Sequence, residues 1–167
     1  MKRIAIGLAS ALLACIGLML FADAEASTET VLHAFCSPDN CPDGANPFAG
    51  LVDVNGTLYG TTWRGGNTCE GGMECGGGTV FALNPDGTQT VLYAFCLNVN
   101  CADGADPLAG VIDVGGTLYV TTSAGGIYCK GCGTVFALDP DTGFERVLYA
   151  FCKLKKCNPG TSSKGAS

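Results

Sequence analysis

Val31-Leu32-His33-Ala34-Phe35-Cys36 returns as Val91-Leu92-Tyr93-Ala94-Phe95-Cys96 and again as Val147-Leu148-Tyr149-Ala150-Phe151-Cys152. The intervals are 60 residues (91 − 31) and 56 residues (147 − 91), and self-similarity at such a period is the signature of a repeat architecture. Positions 31–66 and 91–126, aligned at a constant offset, agree at 23 of 36 sites, far beyond chance. Three residues of the contraction fall between cysteines: Cys69 and Cys75 are six apart, Cys129 and Cys132 three apart. Loops absorb such changes.

Each repeat holds four short runs rich in Val, Thr, Tyr, Phe and Leu. In the first copy they are Gly50–Val54, Thr57–Thr62, Thr79–Leu83 and Thr90–Phe95, each bounded by Gly, Pro or Asn, the pattern of strands in a meander. Asn55-Gly56 and Gly115-Gly116 are two-residue hairpin signals able to supply positive φ, and Pro85-Asp86-Gly87 with its longer copy Pro140–Gly143 marks the next turn. The expected fold is all-β: two four-stranded antiparallel propeller-like blades plus one extra N-terminal strand at Val31–Phe35, stapled by disulfides. A closed propeller uses about four blades or more. Two blades leave faces and edges uncovered, so either a homo-oligomer completes the ring or the two sheets pack as something other than a propeller.

The chain of 167 residues begins with Met1-Lys2-Arg3, continues as an apolar run from Ile4 to Phe21, and reaches Ala22-Asp23-Ala24-Glu25-Ala26. This reads as a secretory signal peptide over 1–26 cleaved after Ala26, with the β-repeat domain at 27–152 and a basic polar tail at 153–167. Within the domain the repeats span about 31–90 and 91–146, with a partial third copy at 147–157. Two rivals are a lipoprotein signal with Cys15 lipidated after Leu12-Leu13-Ala14, and an uncleaved anchor at the lower length limit for a bilayer span. Localisation is therefore expected to be secreted or periplasmic, off the membrane once the signal is removed. Between Ser27 and Cys152 stand thirteen acidic residues against Arg64, Lys130 and Arg146. Such an acidic body repels nucleic acid; Lys153, Lys155, Lys156 and Lys164 in the tail serve as a solubilising terminus.

The phrases Gly60-Thr61-Thr62, Gly65-Gly66, Gly78-Thr79-Val80-Phe81, Thr90-Val91-Leu92-Tyr93 and Asp43-Gly44-Ala45-Asn46-Pro47 resemble the GloVer tandem-repeat family of secreted bacterial proteins, over Val31–Cys152. That resemblance implies export and a propeller-like fold and carries no catalytic residues. Members usually hold more repeats than two. The strand order is also similar, by analogy alone, to gluconolactonase-like and NHL-type propellers.

Ten cysteines beyond Cys15 form five close pairs: Cys36/Cys41, Cys69/Cys75, Cys96/Cys101, Cys129/Cys132 and Cys152/Cys157. An even count behind a signal peptide points to disulfides, and each pair travels with its repeat, which favours bonding within pairs. A closed loop of this size contributes on the order of 2 kcal/mol in the chain-entropy model. Two sharper readings are a redox site at Cys129-Lys130-Gly131-Cys132 and zinc held by Cys69, Cys75, Cys129 and Cys132; the first lacks a helix to open, and the second departs from structural zinc spacing.

Asp39, Asn40, Asp43 and Asn46, with Asn98, Asn100, Asp103 and Asp106 in the second copy, crowd oxygens of the kind calcium binds. The competing reading is Asx turns leading into the strands after Pro47 and Pro107. His33, the single histidine, is replaced by Tyr93 and Tyr149, which marks a packing position rather than a general base. Asp53 and Asp113 recur at one strand position, suggesting one structural hydrogen bond per repeat. Trp63 and Arg64, replaced by Ser123 and Ala124, are the candidate binding pair, for a glycan or a protein, although local packing explains an aromatic there as well. The reading is therefore an exported β-repeat module for binding or surface assembly, expected to be a non-enzyme without cofactor. Its alternatives are a calcium-dependent propeller hydrolase of the lactonase type and a truncated relic of a longer propeller.

Overall fold

The structure, a computed structural model, describes residues 28–37, 40–66, 76–128 and 131–152. The signal segment, Cys15, Asp39, Cys69, Cys75, Cys129 and the tail with Cys157 lie outside the described residues.

Eight strands form two four-stranded antiparallel sheets, each a simple meander. Sheet one comprises β1 (Val52–Val54), β2 (Thr57–Thr62), β3 (Thr79–Leu83) and β4 (Gln89–Ala94); sheet two comprises β5 (Ile112–Val114), β6 (Thr117–Thr121), β7 (Thr134–Leu138) and β8 (Glu145–Ala150). A 3₁₀ turn covers Val99–Cys101. The β1–β2 turn has both central residues at positive φ, Asn55 at 54° and Gly56 at 88°, and the β5–β6 turn matches it with Gly115 at 62° and Gly116 at 86°, as a two-residue hairpin requires. Asp53 closes its turn by accepting from the Gly56 amide at 2.8 Å, and Asp113 accepts from Gly116 at 3.1 Å. The one hydrogen bond expected per repeat is present.

Val31–Ala34 forms no strand, which corrects the expected extra N-terminal strand. The segment has no β1–β3 of its own to supply ladder partners, and it is held by its side chains instead. Phe35 stacks edge-on against Phe81 with ring centroids 4.9 Å apart.

Both sheets carry a β-bulge at the same place. Val80 faces Tyr93 and Phe81 faces Val91, leaving Leu92 as the extra residue of β4; Val135, Tyr149, Phe136 and Val147 repeat the pattern around Leu148 in β8. A bulge bends its strand and re-aims the residues beyond it. Tyr93 and Phe95 thereby reach sheet two, meeting the Phe136 ring at 4.5 and 5.0 Å. The core lies between the sheets: Val80 and Phe95 from one side meet Val111, Leu118, Val120, Phe136 and Leu138 from the other, with Val52, Tyr59, Leu92, Tyr93 and Val147 packed around them. Strand alternation accounts for the division, because Leu118, Val120, Phe136 and Leu138 sit on one face of sheet two while Tyr119 and Val135 sit on the other. Polar links tie the sheets as well: the Thr61 hydroxyl donates to the Ala109 carbonyl at 2.9 Å, and the Asp106 amide to Gly77 at 2.8 Å.

Candidate functional site

Each disulfide loop is followed, two residues after its closing cysteine, by an aspartate whose carboxylate turns back to accept from the chain before it. Disulfides join Cys36 to Cys41 and Cys96 to Cys101. Each of these four cysteines has positive φ, between 47° and 66°, a region L-residues enter only at a cost. The Cys101 carbonyl accepts from Gly104 and Gly126, as the Cys41 carbonyl does from Gly44 and Gly66. Just past the second loop Asp103, 1% exposed, accepts from the Tyr93 hydroxyl and the Leu97 amide at 3.1 Å each and from the Asn98 amide at 3.2 Å. Burial, then the Asp103 carboxylate, pushes the Tyr93 phenol well above its ordinary range. Just past the first loop Asp43 takes the Cys36 amide on both oxygens and the His33 ring at 3.1 Å.

A common arrangement follows: an aromatic pair inserted beside an aspartate and a phenylalanine. His33 and Phe35 enter beside Asp43 and Phe81; Tyr93 and Phe95 enter beside Asp103 and Phe136. The inserted rings meet edge to face in each case, at 4.7 Å for His33–Phe35 and 5.2 Å for Tyr93–Phe95. The third copy keeps this geometry, with Tyr149 and Phe151 at 5.2 Å, but Tyr149 is 51% and Phe151 41% exposed, whereas Phe95 is fully buried. On the opposite edge strand of the same sheet Ile112 and Val114 are each 60% exposed; their repeat-one equivalents Val52 and Val54 are half-buried. The face of sheet two that carries Ile112, Val114, Tyr119 and Val135 forms an open apolar groove of about 490 Å³.

Beneath each loop lies a buried threonine pair that the sequence reading missed. Thr62 and Thr79 hydroxyls meet at 2.8 Å, Thr122 and Thr134 at 2.9 Å, and Thr62 and Thr122 also accept from the Thr79 and Thr134 amides. The repeated Gly-Thr and Thr-Thr phrases were its signal. They force glycine above: a Cβ on Gly104, at φ +109°, would stand 2.5 Å from the Thr134 hydroxyl.

Trp63 and Arg64 do come together, but with each other. The guanidinium lies over the indole, 4.3 Å from its centroid, and bonds Asp106 at 3.1 Å; Phe48 packs against the same indole at 5.7 Å. Burial raises the Asp106 carboxyl, against the lowering effect of Arg64 and of the Trp63 hydrogen bond. The pair thus closes a local cluster. Of the calcium candidates, the Asp43, Asp103 and Asp106 side chains are bonded as above, Asn46 accepts from the Trp63 amide through its backbone carbonyl, and among the described residues no three His, Cys, Asp or Glu side chains are grouped to hold a metal. The Asx-turn reading of Asp43 and Asp103 also needs correcting, since both reach residues well before them in sequence. Among the zinc candidates only Cys132 is described, and it is disulfide-bonded. Cys152 is half-buried.

The family model of the Gloeobacter/Verrucomicrobia repeat matches residues 17–166, nearly the whole chain. The chain belongs to this repeat family. The family's repeats are, in this member, the two sheets with their disulfide loops and inserted aromatic pairs. No curated protein matches the chain, and neither does a solved structure.

Proposed function

We propose that the protein is an exported, disulfide-stapled β-repeat module whose work is binding at a surface through the open face of sheet two. The observation that carries this is the contrast between equivalent positions: Val52, Leu92, Tyr93 and Phe95 are covered where a sheet follows, while Ile112, Leu148, Tyr149 and Phe151 stand open. Apolar groups left in water at several adjoining positions mark an interaction surface. The two sheets are arranged as propeller blades are, an idea supported by β1 approaching β5 and by the bulged β4 reaching across to the next sheet. Cysteine pairs kept oxidised need an oxidising compartment, which supports removal of 1–26 during export and accords with the disulfides at Cys36–Cys41 and Cys96–Cys101.

The test is to express the full chain with an epitope tag in a bacterial host that exports it, and to fractionate cells and medium. The expected result is oxidised protein outside the cytoplasm, lacking residues 1–26 and retained at the cell surface. Ile112→Asp is expected to release it into the medium. Cytoplasmic, reduced protein, or retention indifferent to Ile112, would overturn the reading.

A further inference from the structure

We infer that the open face of sheet two is built to receive a second copy of this chain, head to tail, in the place its own segment Val31–Cys36 fills at the other end of the molecule. The inference rests on the surface-binding reading above and names its partner.

The described residues contain three aromatic inserts and two sockets. Tyr93/Phe95 fills the socket of Asp103 and Phe136; His33/Phe35 fills that of Asp43 and Phe81; Tyr149/Phe151 has an insert's sequence and ring geometry with no socket beside it. The junction between the two sheets is therefore a worked example of what covers the third insert: an aspartate just after a disulfide loop, a phenylalanine on the third strand, and the Leu-rich face around them. Among the described residues one other surface has that composition, the face of sheet one with Leu58, Phe81, Leu83 and Val91, equivalent position for position to Leu118, Phe136, Leu138 and Val147.

That surface is not empty, and its occupant is the weaker insert. Phe95 is fully buried in its socket, whereas Phe35 is only half-buried, Val31 is 76% exposed and Leu32 42%. His33 takes the position of tyrosine. Val31–Ala34 adds no ladder hydrogen bonds, because it is not part of a sheet. Sheet two of an incoming copy would bring Tyr149 and Phe151 on a complete four-stranded sheet, together with Ile112, Tyr119 and Val135. Such an interface is heterologous, since different patches meet, and it propagates into a ring or an open chain. The segment Val31–Cys36 is then a placeholder that must leave before the second copy docks, and apparent affinity falls by the fraction of chains in which it is seated.

The experiment is sedimentation velocity of the oxidised mature chain over a concentration series, with three variants. Wild type is expected to associate reversibly. Phe35→Ala, which loosens the placeholder, is expected to associate at about tenfold lower concentration, the equivalent of one decade in affinity; His33→Ala, a milder opening, is expected to shift it in the same direction and serves if Phe35→Ala fails to fold. Ile112→Asp, at an exposed position, is expected to keep the circular dichroism of the parent and to remain monomeric. Monomer at every concentration for wild type and both opening variants would overturn the inference, as would association that Ile112→Asp leaves intact. A chain that is monomeric in solution yet needs Ile112 for surface retention refutes self-docking alone and leaves the surface reading standing.

Discussion

Replacing Asp103 with alanine tests whether the inserts are held by their aspartates or merely by apolar contact. The carboxylate is buried and accepts three hydrogen bonds, from the Tyr93 hydroxyl and the Leu97 and Asn98 amides. A donor stripped of its acceptor costs about 1–3 kcal/mol when water cannot replace it. Leu97 is 64% exposed and Asn98 is exposed too, so their amides count near the bottom of that range, whereas the half-buried phenol counts in its middle. The expected loss is about 3–4 kcal/mol, a large part of the roughly 5–15 kcal/mol that stabilises a domain. The assay is urea unfolding with the disulfides intact, at a concentration low enough to keep the chain monomeric. Tyr93→Phe alone is expected to cost about 1 kcal/mol, and the double variant less than the two singles combined, because they share one bond. Asp103→Ala losing under about 1 kcal/mol, or the two substitutions adding fully, would refute the reasoning.

Three further outcomes follow from the same geometry. Because the folded state holds the Tyr93 phenol above its ordinary value, the unfolded chain releases that proton first, so stability present below about pH 10 is lost as pH rises beyond it; Tyr93→Phe is expected to flatten this part of the curve in alkaline unfolding series. Gly104→Ala places a methyl group against Thr134 and Thr122 at φ +109° and is expected to cost about 3 kcal/mol or more in thermal unfolding, while Gly115→Asn, in open space at the position Asn55 occupies in repeat one, is expected to cost little. Asp106→Asn is expected to change stability by under about 1 kcal/mol at neutral pH: burial disfavours the charged carboxyl, and Asn46 already adopts the same left-handed backbone at the matching position. The parent gains on this variant as pH falls through the carboxylate range, since a raised folded value contributes its stability below the unfolded one; thermal midpoints at neutral and acid pH check the sign.

Strand positions were legible because a half-buried strand advertises itself through its residue types, and the repeat printed the pattern twice: β2 and β3 begin and end where their Thr-rich and Val-rich runs do. Val31–Phe35 matches Val91–Phe95 at every position but His33 and forms no strand, since strand identity also needs a neighbour, which composition cannot express. The bulges at Leu92 and Leu148 were illegible for a related reason: one additional residue against a partner strand is a property of pairing, not of either run. Asp43 and Asp103 stood out correctly as special positions, yet their role was misread. Local turn chemistry predicts bonds to the following backbone, whereas these side chains look back at the inserts, a direction fixed only once the disulfide loop has turned the chain round. Trp63 and Arg64 read as an available pair because sequence does not show Asp106 arriving from the next repeat.

The bulged strand that ends one sheet and plugs the next has a consequence for how such a chain can change over generations. Residues 91–146 carry an insert together with the socket that receives it, so the unit is self-consistent wherever it is placed in a series. A duplication or loss of one whole unit leaves every insert that has a socket still matched, and copy number can drift without any single position being redesigned. A shift by part of a unit parts an aromatic pair from its aspartate and breaks two junctions at once.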